Sequence, residues 1–271
     1  MDSSRSQMFD RASIPEGYER FTLRQLFEPW ARELVRRAEL QPGWSVLDVA
    51  SGLGPVARLA AAAVGPYGRV VASDISAPML ALAADRLGSD GLAMIEFLKC
   101  PAEAIDAGDD SFDAVLCQYG LQYFADRAAA IGEMRRVARP GGIVVVSTWA
   151  AERPLGLFGP MAETLAELGL VEPFQRAFDP GIDCLSSAEL EDLLQTSGWR
   201  EVQVEMVELD ARWDSAEAAA NAVLGTAFGP MVLALSGDSQ EQVRAHLITK
   251  LGESDCGIVV RTVSNIARGL K

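Results

Sequence analysis

Between residues 45 and 150 the chain alternates short apolar runs with helical patterns, and this alternation narrows the possible folds more than any other feature of the sequence. The runs SVLDVA (45–50), RVVASD (69–74), MIEFLKC (94–100), FDAVLCQY (112–119) and GIVVVSTW (142–149) are almost continuously apolar. Strands read this way when helices cover both faces of their sheet. Intervening stretches have helical periodicity, so successive strands run parallel and the expected architecture is a doubly wound α/β sheet. One predicted helix starts near Ser76, and another spans 126–138 and ends at ARPGG, where Pro140 cannot continue it.

The first crossover opens with VLDVASGLGPVA, residues 46–57. Gly52, Gly54 and Ala57 satisfy the G-x-G-x-x-A form of the dinucleotide fingerprint. Pro55 suits a first helical position, where its missing N–H had no intrahelical partner. Two ligand classes fit this turn: a nicotinamide or flavin dinucleotide, and a nucleoside carrying an amino acid. Asp74 ends the second strand 20 residues after Gly54 and serves ribose hydroxyls in either class. Asp48 separates the two. A carboxylate inside the strand, four residues ahead of Gly52, is well placed for a cationic amino group and badly placed beside phosphates.

Composition limits the partners. With 271 residues and 49% hydrophobic content the chain can bury a full core. Its net charge of -14 repels polyanions, so nucleic acid is not an expected partner. Cys100, Cys117, Cys184 and Cys256 are scattered singly with no histidine beside them, which argues against a zinc site or disulfide framework. MDSSRSQMFDR lacks a signal-peptide core, and the longest apolar run, residues 59–65, is too short to span a membrane. A cytoplasmic, metal-free protein is expected. Arg135, Arg136 and Arg139 cluster at the C-terminal end of the 126–138 helix and read as complements to its dipole.

Outside the alternating region, FTLRQLFEPWARELVRRA reads as a helix before residue 41. Residues 151–183 hold four prolines and four glycines and read as an irregular insertion. A helix is expected at 186–197, a strand at 200–209, helices within 214–253 and a final strand at 256–267. The implied organisation is a helical lid over 1–40, an α/β core over 41–150, a substrate cap over 151–185, and a remainder, 186–271, carrying a helical insertion over 213–254.

The ordered set VLDVASGLG, VVASDIS-x-x-ML, AEAI, SFDAVLC and RPGG resembles the class I S-adenosylmethionine-dependent methyltransferases, small-molecule branch (methyltransferase type 11), which includes quinone-biosynthesis C-methyltransferases. That resemblance implies a Rossmann-like seven-stranded sheet, mostly parallel, with an antiparallel last strand. It implies S-adenosylmethionine as cofactor and S-adenosylhomocysteine as product. Asp48, Ala50, Ser51, Gly52 and Gly54 are then the methionine-side loop, with Ala50 where relatives often have glycine. Asp74 takes the ribose, and Ile75 and Met79 pack on adenine. Relatives have Asp-Ala-Glu after the third strand; here Pro101, Ala102 and Glu103 follow Cys100, so the adenine amine needs another acceptor, for which Glu103 is a candidate. Gln118 lies near the methionyl part and Tyr18 is a further cofactor contact.

On the acceptor side the resemblance points to Tyr119, Gln122, Phe158, Phe178 and Trp213, with Met161, Phe174, Phe228 and Met231 in the same covering segments. Transfer to an O, N or C atom of an apolar or aromatic small molecule is the implied reaction, with the enzyme a monomer or homodimer. Displacement from a sulfonium needs alignment and exclusion of water more than a catalytic group. If a base is required, Tyr119, Tyr123 and His246 are the candidates, with His246 at the edge of its helix's apolar face and expected on the surface. The rival readings are an NAD(P)-dependent oxidoreductase on a Rossmann sheet, a cofactor-binding protein without methyl transfer, and an idle binding module.

Overall fold

The computed structural model describes residues 22–89, 95–153, 156, 158–171, 184–226, 228–252 and 257–271; Tyr18, Phe174, Phe178 and Cys256 lie outside the described residues. A short π-helical turn, Leu23–Phe27, leads into α1 (Glu28–Ala38). There follow β1 (Ser45–Val49), α2 (Pro55–Val64), β2 (Arg69–Asp74), α3 (Ala77–Ser89), β3 (Ile95–Lys99), β4 (Phe112–Gln118), α4 (Arg127–Val137) and β5 (Ala138–Trp149). After β5 come α5 (Phe158–Glu167), α6 (Ser187–Thr196), β6 (Arg200–Trp213), α7 (Ala216–Leu224), α8 (Gly229–Leu233), α9 (Gly237–Leu251) and β7 (Ile258–Leu270).

Seven strands form one sheet in the order β3-β2-β1-β4-β5-β7-β6. Neighbours from β3 to β5 are parallel. β7 runs antiparallel to both β5 and β6, as the resemblance implied for the last strand. Strand order reverses between β1 and β4, and in open α/β sheets ligands collect at the carboxyl ends of strands flanking such a switch. The glycine turn follows β1 and Gln118 ends β4, so both motifs stand at that edge.

Two apolar layers hold the sheet. On one face α1 and α2 pack through Trp30, Ala31, Leu34, Val56, Ala57 and Ala60. The inward residues of α1 recur about every four positions, and the alanines of α2 let the two helices approach closely. On the other face α4 and α6 contribute Ile131, Met134, Leu190 and Leu194. α1 is therefore a layer of the core over Glu28–Ala38, whereas the sequence suggested a lid. Trp30 Nε1 also donates 3.0 Å to Thr262 Oγ1 of β7.

Several elements depart from expectation. The predicted irregular insertion contains α5, which buries Met161, Thr164 and Leu165, three and four residues apart on one face; its prolines and glycines obscured that spacing. β6 continues to Trp213 and β7 to Leu270 because the two pair as a long hairpin-like ladder, from Val207↔Ser264 out to Trp213↔Ile258. The arginine cluster is structural. Arg136 bonds Glu133, Asp109 and the carbonyls of Ile105 and Ala107; Arg135 donates to Gly198 O; Arg139 pairs with Asp113. Among the described residues no helix is long and apolar enough to cross a membrane.

Candidate functional site

The turn after β1 is built from left-handed residues. Ala50 (φ 55°), Gly52 (φ 56°) and Gly54 (φ 75°) all have positive φ, which reverses the chain tightly enough to start α2 at Pro55. Glycine adopts this region without penalty, whereas a Cβ costs roughly 1–2 kcal/mol there. Ala50 bears that strain. Ser51 N–H donates to Ser73 O and Gly54 N–H to Ser51 O, each at 2.9 Å, so the turn is tied to β2 and to itself.

Asp74, at the end of β2, ties the turn from the other side. Its Oδ2 accepts from Gly52 N–H and its Oδ1 from Ser76 N–H, both at 2.8 Å. Ser76 in turn accepts from Met79 N–H at 3.3 Å and starts α3. One carboxylate therefore fixes both the glycine turn and the following helix. Its neighbour Ile75 is 41% exposed, while Met79 is buried in the core.

Asp48 is buried beneath the turn, where its Oδ2 accepts from Ala57 N–H at 3.0 Å. Ala57 is the third residue of α2, whose N-cap Gly54 has no side chain to offer, so a carboxylate from the strand takes over the capping. Burial pushes the Asp48 carboxyl up to about 7 against the opposing pull of the Ser51 side chain and the Ala57 N–H, and the charge of Asp74 adds to the rise. Burial likewise raises the Cys117 thiol to about 12, which makes it a poor nucleophile.

At the end of β4 the chain turns through Tyr119, again with positive φ (57°). Gly120 packs so tightly that a Cβ there would lie 2.7 Å from Cys117 Sγ and 2.8 Å from both Ala50 Cβ and Phe124 Cζ. This turn therefore rests on the glycine loop. Gln118 donates through Nε2 to Phe27 O at 3.0 Å. Among the described residues, the buried oxygens Gln118 Oε1, Gln122 Oε1, Ser147 Oγ and Thr148 Oγ1 have no partner, an arrangement that costs stability unless something else supplies donors. Ser147 is registered beside Gln118. Neither Ser147 nor Thr148 was singled out from sequence, although they interrupt an otherwise apolar strand at its carboxyl end.

Aromatic rings extend the site toward the covering helices. Tyr119 stacks on Trp149 (4.1 Å between centroids, 16° between planes), Trp149 meets Phe158 edge-on at 6.2 Å, and Phe158 lies 5.5 Å from Phe228. Trp213 is buried at the end of β6 and Tyr123 is half-buried in the 3-10 turn Leu121–Tyr123.

Tyr119 and Glu103 stand elsewhere than the sequence suggested, whereas His246 is on the surface as expected. Tyr119 does not present its hydroxyl as a base, because it shares a buried 2.6 Å hydrogen bond with Ser264. Glu103 Oε1 accepts from Ala125 N–H at 2.9 Å and supports the approach to α4. His246 is exposed, with Nδ1 2.9 Å from Gln242 O of its own helix, because Val243 and Leu247 take the inward positions. Pro101 is exposed and Ala102 buried beside β3.

A sequence profile of the ubiE/COQ5 methyltransferase family matches residues 21–154. The ubiquinone/menaquinone biosynthesis C-methyltransferase of Stenotrophomonas maltophilia is 42% identical over 114 residues, which are 42% of this chain and 45% of that protein. The chain thus aligns with less than half the length of such curated relatives. The YcgJ protein of Bacillus subtilis superposes with a TM-score of 0.58 at 20% identity, over 89% of this chain and 97% of that one. The phosphoethanolamine N-methyltransferase 2 of Haemonchus contortus, solved with S-adenosyl-L-methionine, superposes with a TM-score of 0.64 at 17% identity, over 100% of this chain and 60% of that one. These structures share the fold. Its glycine turn, Asp74 and the β4 turn all lie inside the matched segment, so over residues 21–154 the chain is similar to the ubiE/COQ5 methyltransferase family.

Proposed function

We propose that the protein is an S-adenosylmethionine-dependent methyltransferase acting on an O, N or C atom of a small, apolar or aromatic acceptor, with a quinone-like ring as the class its relatives' names suggest. The observation that carries this reading is the convergence, at the β1/β4 switch point, of a glycine turn held by Asp74 with buried amide oxygens on Gln118 and Gln122 that lack donors among the described residues. Acceptor-only oxygens suit a ligand with cationic or N–H donors better than a pyrophosphate. The residues present therefore fit the cofactor of the family.

When bound, S-adenosylmethionine supplies a methyl group already activated by the sulfonium charge. The turn at Gly52 and Gly54 would receive the methionyl part, with Asp48 holding the turn from below through Ala57 N–H. Asp74 would hold the ribose, and Ile75, Met79 and Ala102 would line the adenine. Gln118 and Gln122 accept from donors on the methionyl part or on the acceptor. The stacked pair Tyr119–Trp149 and the rings of Phe158 and Phe228 give the acceptor an apolar wall that keeps water out. Alignment and desolvation are then the chain's contribution to rate.

Titration calorimetry of the purified protein with S-adenosylmethionine, S-adenosylhomocysteine, NADH and NADPH tests this reading. We expect saturable binding of the first two only. Binding of a nicotinamide nucleotide in their place would return the glycine turn to the oxidoreductase reading.

A further inference from the structure

Ser264 lies on β7, outside the family-matched segment, and is fully buried. Its Oγ is 2.6 Å from Tyr119 Oη. Tyr119 is one of two non-glycine residues with left-handed backbone at the carboxyl edge of the central strands, the other being Ala50. Between them stands Gly120, with room for no side chain against Ala50 Cβ. Strained backbone persists only where surrounding contacts over-determine it. For Tyr119 those contacts are the Ser264 hydrogen bond, the Trp149 stack, the edges of Phe27 and Trp30, and the Tyr119 N–H donated to Ser147 O.

We propose that Ser264 is a positioning residue for the cofactor loop: its hydrogen bond holds Tyr119 in the left-handed turn, which seats Gly120 against Ala50 and keeps the glycine turn in its binding shape. The effect runs from the last strand through one side chain to a loop that Ser264 does not touch. It assigns a function to a residue of the C-terminal segment that the family match leaves out. The consequence for methyl transfer rests on the reading given under Proposed function; the coupling itself does not.

The test compares the full chain with Ser264→Ala, Tyr119→Phe, the double variant and Ser264→Thr. Hydrogen exchange is read without ligand, because the amides of Ser51, Gly52, Gly54, Tyr119 and Tyr123 are all hydrogen-bonded. Ser264→Ala and Tyr119→Phe should each speed exchange at Tyr119–Tyr123 and also at Ser51–Gly54, while α4 and α6 keep their protection. The double variant should add little to either single change, as expected for two halves of one bond, and Ser264→Thr should restore protection. In parallel, S-adenosylmethionine affinity should fall about tenfold in both single variants, a loss typical of one broken buried hydrogen bond. Exchange confined to the Tyr119 turn, or additive effects of the two substitutions, would overturn the coupling. A wild-type protein that shows the coupled exchange but binds no S-adenosylmethionine would overturn the methyltransferase reading and leave the coupling standing. Intact cofactor binding in Ser264→Ala with unchanged exchange would do the reverse.

Discussion

Asp74 illustrates how a side chain that the sequence singles out can take on bonds the sequence does not foretell. Its place at the end of an apolar strand marks it as a functional carboxylate, but the bonds to Gly52 and Ser76 N–H come from a loop whose path no periodicity encodes. Replacing Asp74 by Ala should lower S-adenosylmethionine affinity at least about tenfold, and Asp74→Asn should lose less because one acceptor oxygen remains; equal affinities in calorimetry would contradict the assignment. Asp48 was read from sequence as a carboxylate facing a cationic amino group, whereas in the structure it accepts from Ala57 N–H, a bond that depends on how α2 leaves the sheet. Its raised pKa has a definite sign. Between the unfolded value near 3.8 and the folded value of about 7, the native state keeps a proton that the unfolded chain has released. Stability should therefore fall as pH rises through that window and level off above it. Asp48→Asn should lack this slope in urea denaturation across the window. At Ala50 the glycine that relatives often carry should relieve left-handed strain. Ala50→Gly is expected to raise unfolding free energy by up to about 1 kcal/mol, after the added freedom of the unfolded chain is subtracted.

At the scale of elements, the five parallel strands and their crossovers were visible in sequence because helices on both sides of a sheet force its strands to be apolar on both faces, and turn residues mark where each run stops. β1, β2 and β4 lie within a residue of the expected limits. Their boundaries blur where tertiary pairing takes over from local pattern, as in β6, whose edge-strand side chains alternate with charged residues and whose end is set by its ladder to β7. α5 was missed because glycine and proline dominate its surroundings, and the aromatic wall was seen only as a list of rings without the stacking that joins Tyr119 to Trp149. The contact between the β4 turn and the glycine loop lies on no sequence pattern at all. It is testable: Gly120→Ala places a Cβ within 2.8 Å of Ala50 Cβ and should cost about 1–3 kcal/mol in denaturant melts. A neutral result would mean that the two turns move independently. α1 gives a contrasting case, since Trp30→Ala removes a fully buried ring and its bond to Thr262 and should cost about 3–5 kcal/mol.

For the molecule as a whole, the net charge of -14 acts at a distance that no single pair does. S-adenosylmethionine carries one net positive charge at neutral pH and its demethylated product carries none, so the field should speed arrival of the first and be indifferent to the second. Stopped-flow association of S-adenosylmethionine should slow as ionic strength rises past about 0.1 M, where the screening length shrinks to about 10 Å, while the product's rate stays flat. Matching salt dependences for both would exclude steering. The position of β7 has a different consequence. It sits between β5 and β6 yet is the last of the seven strands to be synthesised. Without Ile258–Leu270 the single strand β6 is cut off from the five-stranded block β3-β2-β1-β4-β5 by a gap one strand wide. β7 is the wedge that welds the two, so β6 can join the sheet only through β7, whatever the order in which the rest assembles.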